Sequence, residues 1–174
     1  MHLIPASFVP PRTVSLANLD LVVLSPEWAQ QDFAALERCA DTIRHVFGPD
    51  NHWPDADISY EENLADLLRH EREFNEGEAF AYAMLQGERY LGCLHIKPIK
   101  SRIDNDARRR LFQAQAFFWL ANDEAQPDPG SVLATLRDWL NAEWPFEAVA
   151  WPGRVQGWDE WQAMAHAPCM NDGA

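Results

Sequence analysis

A chain of 174 residues, 47% of them hydrophobic, is long enough to bury a core, and we expect a single domain over residues 1–174. The formal net charge of −13 disfavours nucleic acid or an anionic membrane as a partner, and no apolar run approaches the ~20 residues that a membrane helix needs. The cysteines, Cys39, Cys93 and Cys169, suit neither a disulfide framework nor a metal site, so we expect a soluble protein in a reducing, cytoplasmic setting.

The first half of the chain predicts an arm, one strand and two helices. Residues 1–15 are rich in proline and predict an extended surface arm, and residues 19–24 predict the first strand. Ser25-Pro26 is a helix-start signal, and the apolar stripe that follows continues to Phe47. A capping box at residues 59–62 begins a second helix. Its apolar stripe consists of Leu64, Leu67, Leu68 and Phe74.

The second half predicts a hairpin, two further strands and two further helices. Two apolar runs flank the turn-prone Gln86-Gly87-Glu88-Arg89, as in a β-hairpin. The predicted elements are a hairpin at 80–85 and 90–96, strands at 114–121 and 148–151, helices at 132–140 and 158–165, and a loose tail at 166–174.

This order resembles the Gcn5-related N-acetyltransferase superfamily. The resemblance is carried by Tyr60–Leu64 on the second helix, by the hairpin with Gly92 in its second strand, and by the strand-to-helix passage at 114–140. It spans roughly residues 19–161. It implies an α/β (α+β) fold in which a mixed, mostly antiparallel central sheet is flanked by about four helices.

The resemblance also implies acetyl-CoA or another acyl-CoA as co-substrate, yet the family's Gln/Arg-x-x-Gly-x-Gly/Ala loop is absent from residues 122–131. Three carboxylates in this loop, Asp123, Glu124 and Asp128, would oppose a pyrophosphate. Asp128 before Pro129 also fits a helix N-cap, so the alternative is a self-capped helix of structural value only. The cofactor contacts that the resemblance implies are Leu120, Ala121 and Asn122 on the strand edge, and Gly130 and Ser131 near the pyrophosphate.

The acidic loop at residues 49–58 is the candidate acceptor site, because the family uses this loop to frame the acyl acceptor. Trp53 with Asp55 could cradle a small-molecule amine through cation–π and charge interactions. The alternative is that Trp53 only anchors the loop.

No catalytic residue is assigned. The family often uses a C-terminal tyrosine as acid, and this chain has no tyrosine after Tyr90. His95 could be a base near neutral pH, and Cys93 is predicted to face the opposite side of its strand, so we expect no Cys–His pair. Glu62, Asp66 and His70 share a helix face that could bind an amine or a metal, but a solvated face is the expectation.

Six basic residues between 97 and 110 could bind an anion. In the expected topology they join two strands at the end of the sheet remote from the cofactor loop, so a solvated connection is favoured.

Two functions are consistent with the sequence. The first is an acyl-CoA-dependent N-acyltransferase in which an amine attacks the thioester directly. The second is a non-catalytic binding or assembly module that has lost pyrophosphate binding, and its exposed Trp-rich C-terminal part could form a homodimer contact.

Overall fold

In the computed structural model, which describes residues 2–122 and 125–167, six strands form one sheet in the order β1-β2-β3-β4-β5-β6. The strands are β1 (Thr13–Ser15), β2 (Asp20–Val23), β3 (Phe80–Gln86), β4 (Arg89–Lys97), β5 (Ala114–Leu120) and β6 (Val149–Ala150). The helices are α1 (Ala29–Ile43), α2 (Tyr60–Asn75), α3 (Arg108–Leu111), α4 (Pro129–Glu143) and α5 (Trp158–Met164). The predicted acids Asp123 and Glu124, Cys169 and most of the predicted tail lie outside the described residues.

The sheet is antiparallel except at its last pair. Neighbouring strands from β1 to β5 run antiparallel, and β6 runs parallel to β5. The predicted mixed, mostly antiparallel sheet is therefore confirmed. Two elements were not predicted. The end of the N-terminal arm pairs with β2 as the edge strand β1, and one helical turn, α3, interrupts the basic connection.

Both faces of the sheet are covered. Helix α4 packs Val132 and Leu136 on one face in a cluster with Phe118, and α1 and α2 pack Leu36 and Leu67 on the other. Burying each such side chain stabilises the fold by about 1.5–3 kcal/mol. The β3–β4 hairpin therefore lies between two apolar layers, which explains its nearly continuous hydrophobic sequence.

Glycine is required at position 92 because β4 and β5 approach closely there. Gly92 has a φ of 145°, and a Cβ atom at this position would lie 2.0 Å from the Trp119 carbonyl oxygen. This close pairing holds β5 in place, and the candidate site lies along its opposite edge.

Three predictions about the helices and the tryptophans are wrong. Helix α1 ends at Ile43, before the predicted Phe47, which therefore lies in the α1–α2 loop. In α2, His70 is buried while Leu68 is 53% exposed, because α2 meets the sheet through the face that carries Leu67 and Phe74. The C-terminal part does not expose a tryptophan-rich surface as far as residue 167, where its described residues end. Its buried tryptophans are Trp139, Trp144, Trp151 and Trp161.

None of the helices in residues 2–122 and 125–167 is long and apolar enough to cross a bilayer.

Candidate active site

A cleft of about 510 Å³ opens where β5 and β6 separate. The two strands pair only at Ala114–Val149 and Gln115–Ala150. Beyond these pairs, β5 continues to Leu120, whereas the segment that follows β6 turns away through Pro152 and Gly153 into α5. The edge of β5 at Phe118 therefore faces the cleft without a paired strand. We call this space the β5–β6 cleft.

Arg154 lies at this open edge. Its Nη2 donates a hydrogen bond of 3.0 Å to the Phe118 carbonyl oxygen, and its guanidinium carbon lies 3.5 Å from the centroid of the Phe118 ring. Backbone groups of one residue in a strand point to the same side. The Phe118 N–H therefore also points towards the cleft.

The β5–β6 cleft has a basic lining in an acidic chain. Arg44, His45 and Arg154 line it, and no carboxylate does so among the described residues. Arg44 donates to the Pro54 carbonyl and pairs with Asp41 at 2.9 Å, but its Nη2 is buried and has no partner in the described part of the chain. An acidic protein that gathers cations around one cleft favours an anionic ligand there.

The predicted cofactor contacts divide into two groups. Leu120 and Asn122 line the cleft, whereas Ala121 is buried and its amide donates to the Leu91 carbonyl at 2.7 Å. Gly130 and Ser131 are exposed at the beginning of α4. The strand edge therefore contributes to the cleft more directly than the helix does.

The N-terminus of α4 is largely self-capped, as the sequence predicts. The Asp128 side chain accepts from the Ser131 amide at 2.8 Å, and Pro129 is the first residue of the helix. Pro129 has no amide hydrogen, and Ser131 has already used its own, so Gly130 retains the amide best placed for an anion.

Trp53 and Asp55 are placed differently from each other. The Trp53 ring packs with Phe47, at 5.3 Å between centroids, and with Trp119, at 6.2 Å. Asp55 is exposed. Trp53 therefore anchors the α1–α2 loop against the sheet.

His95 is not a base that titrates near neutral pH. It is 3% exposed, neither ring nitrogen has a partner among the described residues, and burial lowers its pKa well below the usual range. Residues two apart in a strand share a face, so the predicted opposite orientation of Cys93 and His95 is wrong. Their different partners keep them apart. The Cys93 thiol contacts the Tyr90 hydroxyl at 2.9 Å, whereas the His95 ring packs against Phe47 and His70.

A second cavity, of about 270 Å³, adjoins the cleft at Phe117, which lines both spaces. Phe47, Lys97 and Lys100 also line it, and we call it the lysine cavity. The basic connection is thus at the far end of β5 from the predicted cofactor loop, as expected, but it is only partly solvated. Arg108 pairs with the buried Asp106 at 2.6 Å, and Lys97 is half-buried.

No protein-family model and no curated protein sequence matches the chain. Solved structures do match. A ribosomal L7/L12 alpha-N-protein acetyltransferase in complex with coenzyme A is 17% identical, with a TM-score of 0.55, over 74% of this chain and 67% of that one. A probable acetyltransferase is 12% identical, with a TM-score of 0.59, over 80% and 72%. The microcin C7 self-immunity acetyltransferase MccE, in complex with acetyl-CoA and AMP, is 10% identical, with a TM-score of 0.58, over 78% and 68%.

The chain has the Gcn5-related N-acetyltransferase fold. The cofactor contacts that the sequence resemblance implies include Leu120 and Asn122, which line the β5–β6 cleft, so this cleft is the candidate active site. No group of three or more His, Cys, Asp or Glu side chains could hold a metal ion in residues 2–122 and 125–167.

Sequence reasoning missed Arg44 and Arg154 and placed little weight on Lys97. Neither arginine belongs to a motif, because α1 and the β6–α5 connection bring them to the acetyltransferase fold's cleft from distant parts of the chain. Lys97 carried a signal that could have been used. The chain has only two lysines, Lys97, which ends β4, and Lys100, which follows it after Pro98 and Ile99.

Proposed function

We propose that this protein is an acyl-CoA-dependent N-acyltransferase. The observation that carries the proposal is the β5–β6 cleft, in which an open strand edge lies beside two arginines and no described carboxylate. An extended ligand with amides at one end and phosphates at the other needs both features, a strand edge for its amides and cations for its phosphates. Acyl-CoA is such a ligand, because its pantetheine arm contains amides and its nucleotide end carries a diphosphate.

The residues present fit this co-substrate. The edge of β5 at Phe118 and Leu120 would hold the pantetheine amides, as an added strand is held in a sheet. Arg154 would exchange its bond with the Phe118 carbonyl for the diphosphate, and Arg44 has a buried nitrogen still without a partner. Charge-assisted hydrogen bonds from arginine to phosphate are about twice as strong as neutral ones. The arginines would therefore replace much of what the missing glycine loop supplies elsewhere.

The chemistry requires little more than positioning and a hydrogen-bond donor. The nitrogen of a neutral amine forms a bond to the thioester carbonyl carbon, the C–S bond breaks, and the sulfur leaves as the thiolate of CoA. The proton lost by the amine nitrogen ends on that sulfur directly or through water. A backbone N–H of the open β5 edge would polarise the carbonyl oxygen, and holding both reactants in one cleft supplies most of the acceleration.

Two of the structural neighbours support this assignment, since their structures contain coenzyme A or acetyl-CoA. We infer that the present chain binds the same class of co-substrate in the corresponding cleft, with a different set of phosphate contacts.

Calorimetric titration with acetyl-CoA tests the proposal. We expect wild-type protein to bind acetyl-CoA, and Arg154→Met to weaken that binding by about tenfold, because a charge-assisted contact worth about 1.4 kcal/mol is lost. Arg137→Met is the matched control, because Arg137 is exposed on α4 and lies outside the cleft. Absence of binding by acetyl-, succinyl- and longer acyl-CoA would refute the proposed function.

A further inference from the structure

The lysine cavity is unusual in carrying a half-buried cation without a carboxylate partner. Its described lining contains Lys97, Lys100 and Arg108 and no acidic side chain. Arg108 is paired with Asp106, but no carboxylate lies within 4.0 Å of the Lys97 ammonium in the part of the chain that the structure describes. Its close contact is the Phe47 ring, whose centroid lies 4.1 Å from Nζ.

Such a cation is costly to keep. Desolvating an ammonium without a paired carboxylate is unfavourable, and one cation–π contact offsets only part of that cost. The chain has 27 acidic residues against 14 basic ones, so a carboxylate partner is not scarce. An unpaired, partly desolvated charge that lines a cavity is the pattern of a group that meets its counterion in a ligand.

The lysine cavity lies next to the β5–β6 cleft, in which the proposed reaction takes place. Phe117 separates the lysine cavity from the β5–β6 cleft, and its ring lies 5.4 Å from that of Phe47 and 6.5 Å from that of Trp158. The cavity continues past Lys97 into a larger space of about 990 Å³, which is also lined by Arg69 and Glu73. A molecule entering from that side would approach the β5 edge with Lys97 beside it.

We propose that the lysine cavity binds the acyl acceptor through a carboxylate held by Lys97, so that the acceptor is an amine that also carries an acid group. This inference rests on the proposed function. The walls formed by Phe47, Phe117 and Trp161 suit an apolar portion of the acceptor next to that carboxylate. A carboxylate matches the single half-buried ammonium in charge, and Lys100, which is exposed, adds attraction at the rim.

The group recognised in this proposal is an anionic carboxylate, whereas the sequence predicted recognition of a cationic amine. The acidic loop with Trp53 and Asp55 suggested recognition of a cationic amine, but Asp55 is exposed and Trp53 is packed against Trp119. The charged side chains that line the lysine cavity are Lys97, Lys100 and Arg108, whereas Glu73 and Glu78 line the larger space beyond it. Recognition by the acid group leaves the amine free to become neutral and attack.

Benzoate and benzamide are the probes, because they have the same size and ring and differ in charge. Titrations followed by ligand-observed NMR on the full chain should show benzoate bound about tenfold more tightly than benzamide. Lys97→Met should abolish this preference, and Lys97→Arg should retain most of it. Arg102→Met, which removes an exposed charge outside the cavity, should leave it unchanged.

Three results would overturn the inference. Equal binding of benzoate and benzamide by the wild type would leave Lys97 with a packing role only, and a preference for benzoate that survives Lys97→Met would place the anion elsewhere. Lys97-dependent benzoate binding in a protein that binds no acyl-CoA would show an anion site unrelated to acyl transfer. If acetyl-CoA binds while benzoate shows no preference, the proposed function stands and this inference alone fails.

Discussion

Replacing Lys97 by methionine should make the protein more stable at neutral pH. Burial, and to a smaller extent the nearby Arg69, lower the pKa of Lys97 from 10.5 to about 8. At 1.36 kcal/mol for each pKa unit, the charged form costs on the order of 3 kcal/mol in the folded state. Because Lys97 keeps part of its solvent contact and methionine loses the cation–π contact with Phe47, we expect a net gain of about 1–2 kcal/mol.

The difference in the free energy of unfolding between wild type and Lys97→Met should change with pH in a defined direction. A lysine whose pKa is lowered by folding binds fewer protons in the folded than in the unfolded state. Wild-type stability should therefore rise relative to Lys97→Met as the pH increases from about 8 to 10.5. Urea unfolding of both proteins across this range measures the difference. Lys100→Met is the control, and because Lys100 is exposed its effect should stay within about 0.5 kcal/mol.

A constant difference between wild type and Lys97→Met over that pH range would refute the reasoning. It would mean that the ammonium is well solvated in the folded protein, and the argument for a ligand counterion would lose its energetic basis. A gain in stability accompanied by loss of benzoate binding is the expected combination, because functional charges commonly reduce stability.

Three further outcomes are expected. Asp128→Ala should lower the free energy of unfolding by about 1 kcal/mol through loss of the α4 cap, and it should tighten acetyl-CoA binding in calorimetry because the Ser131 amide becomes free. Gly92→Ala should destabilise the fold by more than about 3 kcal/mol in thermal or urea unfolding, because the added Cβ meets the Trp119 carbonyl. Glu73, whose pKa is lowered to about 2 mainly by hydrogen bonding with His70, should stabilise the wild type over Glu73→Gln above pH 4.5, and urea unfolding should show that advantage disappearing as the pH falls towards 2.

The order of strands and helices could be predicted because each element carries a local signal. The Ser59 capping box is present, with Ser59 accepting from Glu62, and Asp128 caps α4 through its side chain. The buried face of α2 could not be predicted in the same way. Both Leu68 and His70 fit a helical stripe, and only the packing of α2 on the sheet, where the His70 ring contacts His95 of β4, decides that His70 is buried.

The candidate site was less predictable than the fold, for a physical reason. The resemblance directed attention to the loop after β5, where glycines are missing, but Arg44 and Arg154 reach the cleft from elements far apart in sequence. Cationic side chains that come together only when the chain folds leave no local pattern in the sequence. The same applies to Lys97, whose significance depends on Phe47 folding over it from the α1–α2 loop.

A crystal structure of the protein grown with saturating acetyl-CoA tests the central claim most directly. We predict density for the pantetheine arm between the Phe118 edge of β5 and the connection that carries Arg154, with the Arg154 guanidinium moved from the Phe118 carbonyl to the diphosphate. An empty β5–β6 cleft, or acetyl-CoA bound elsewhere with Arg154 still on that carbonyl, would contradict the account.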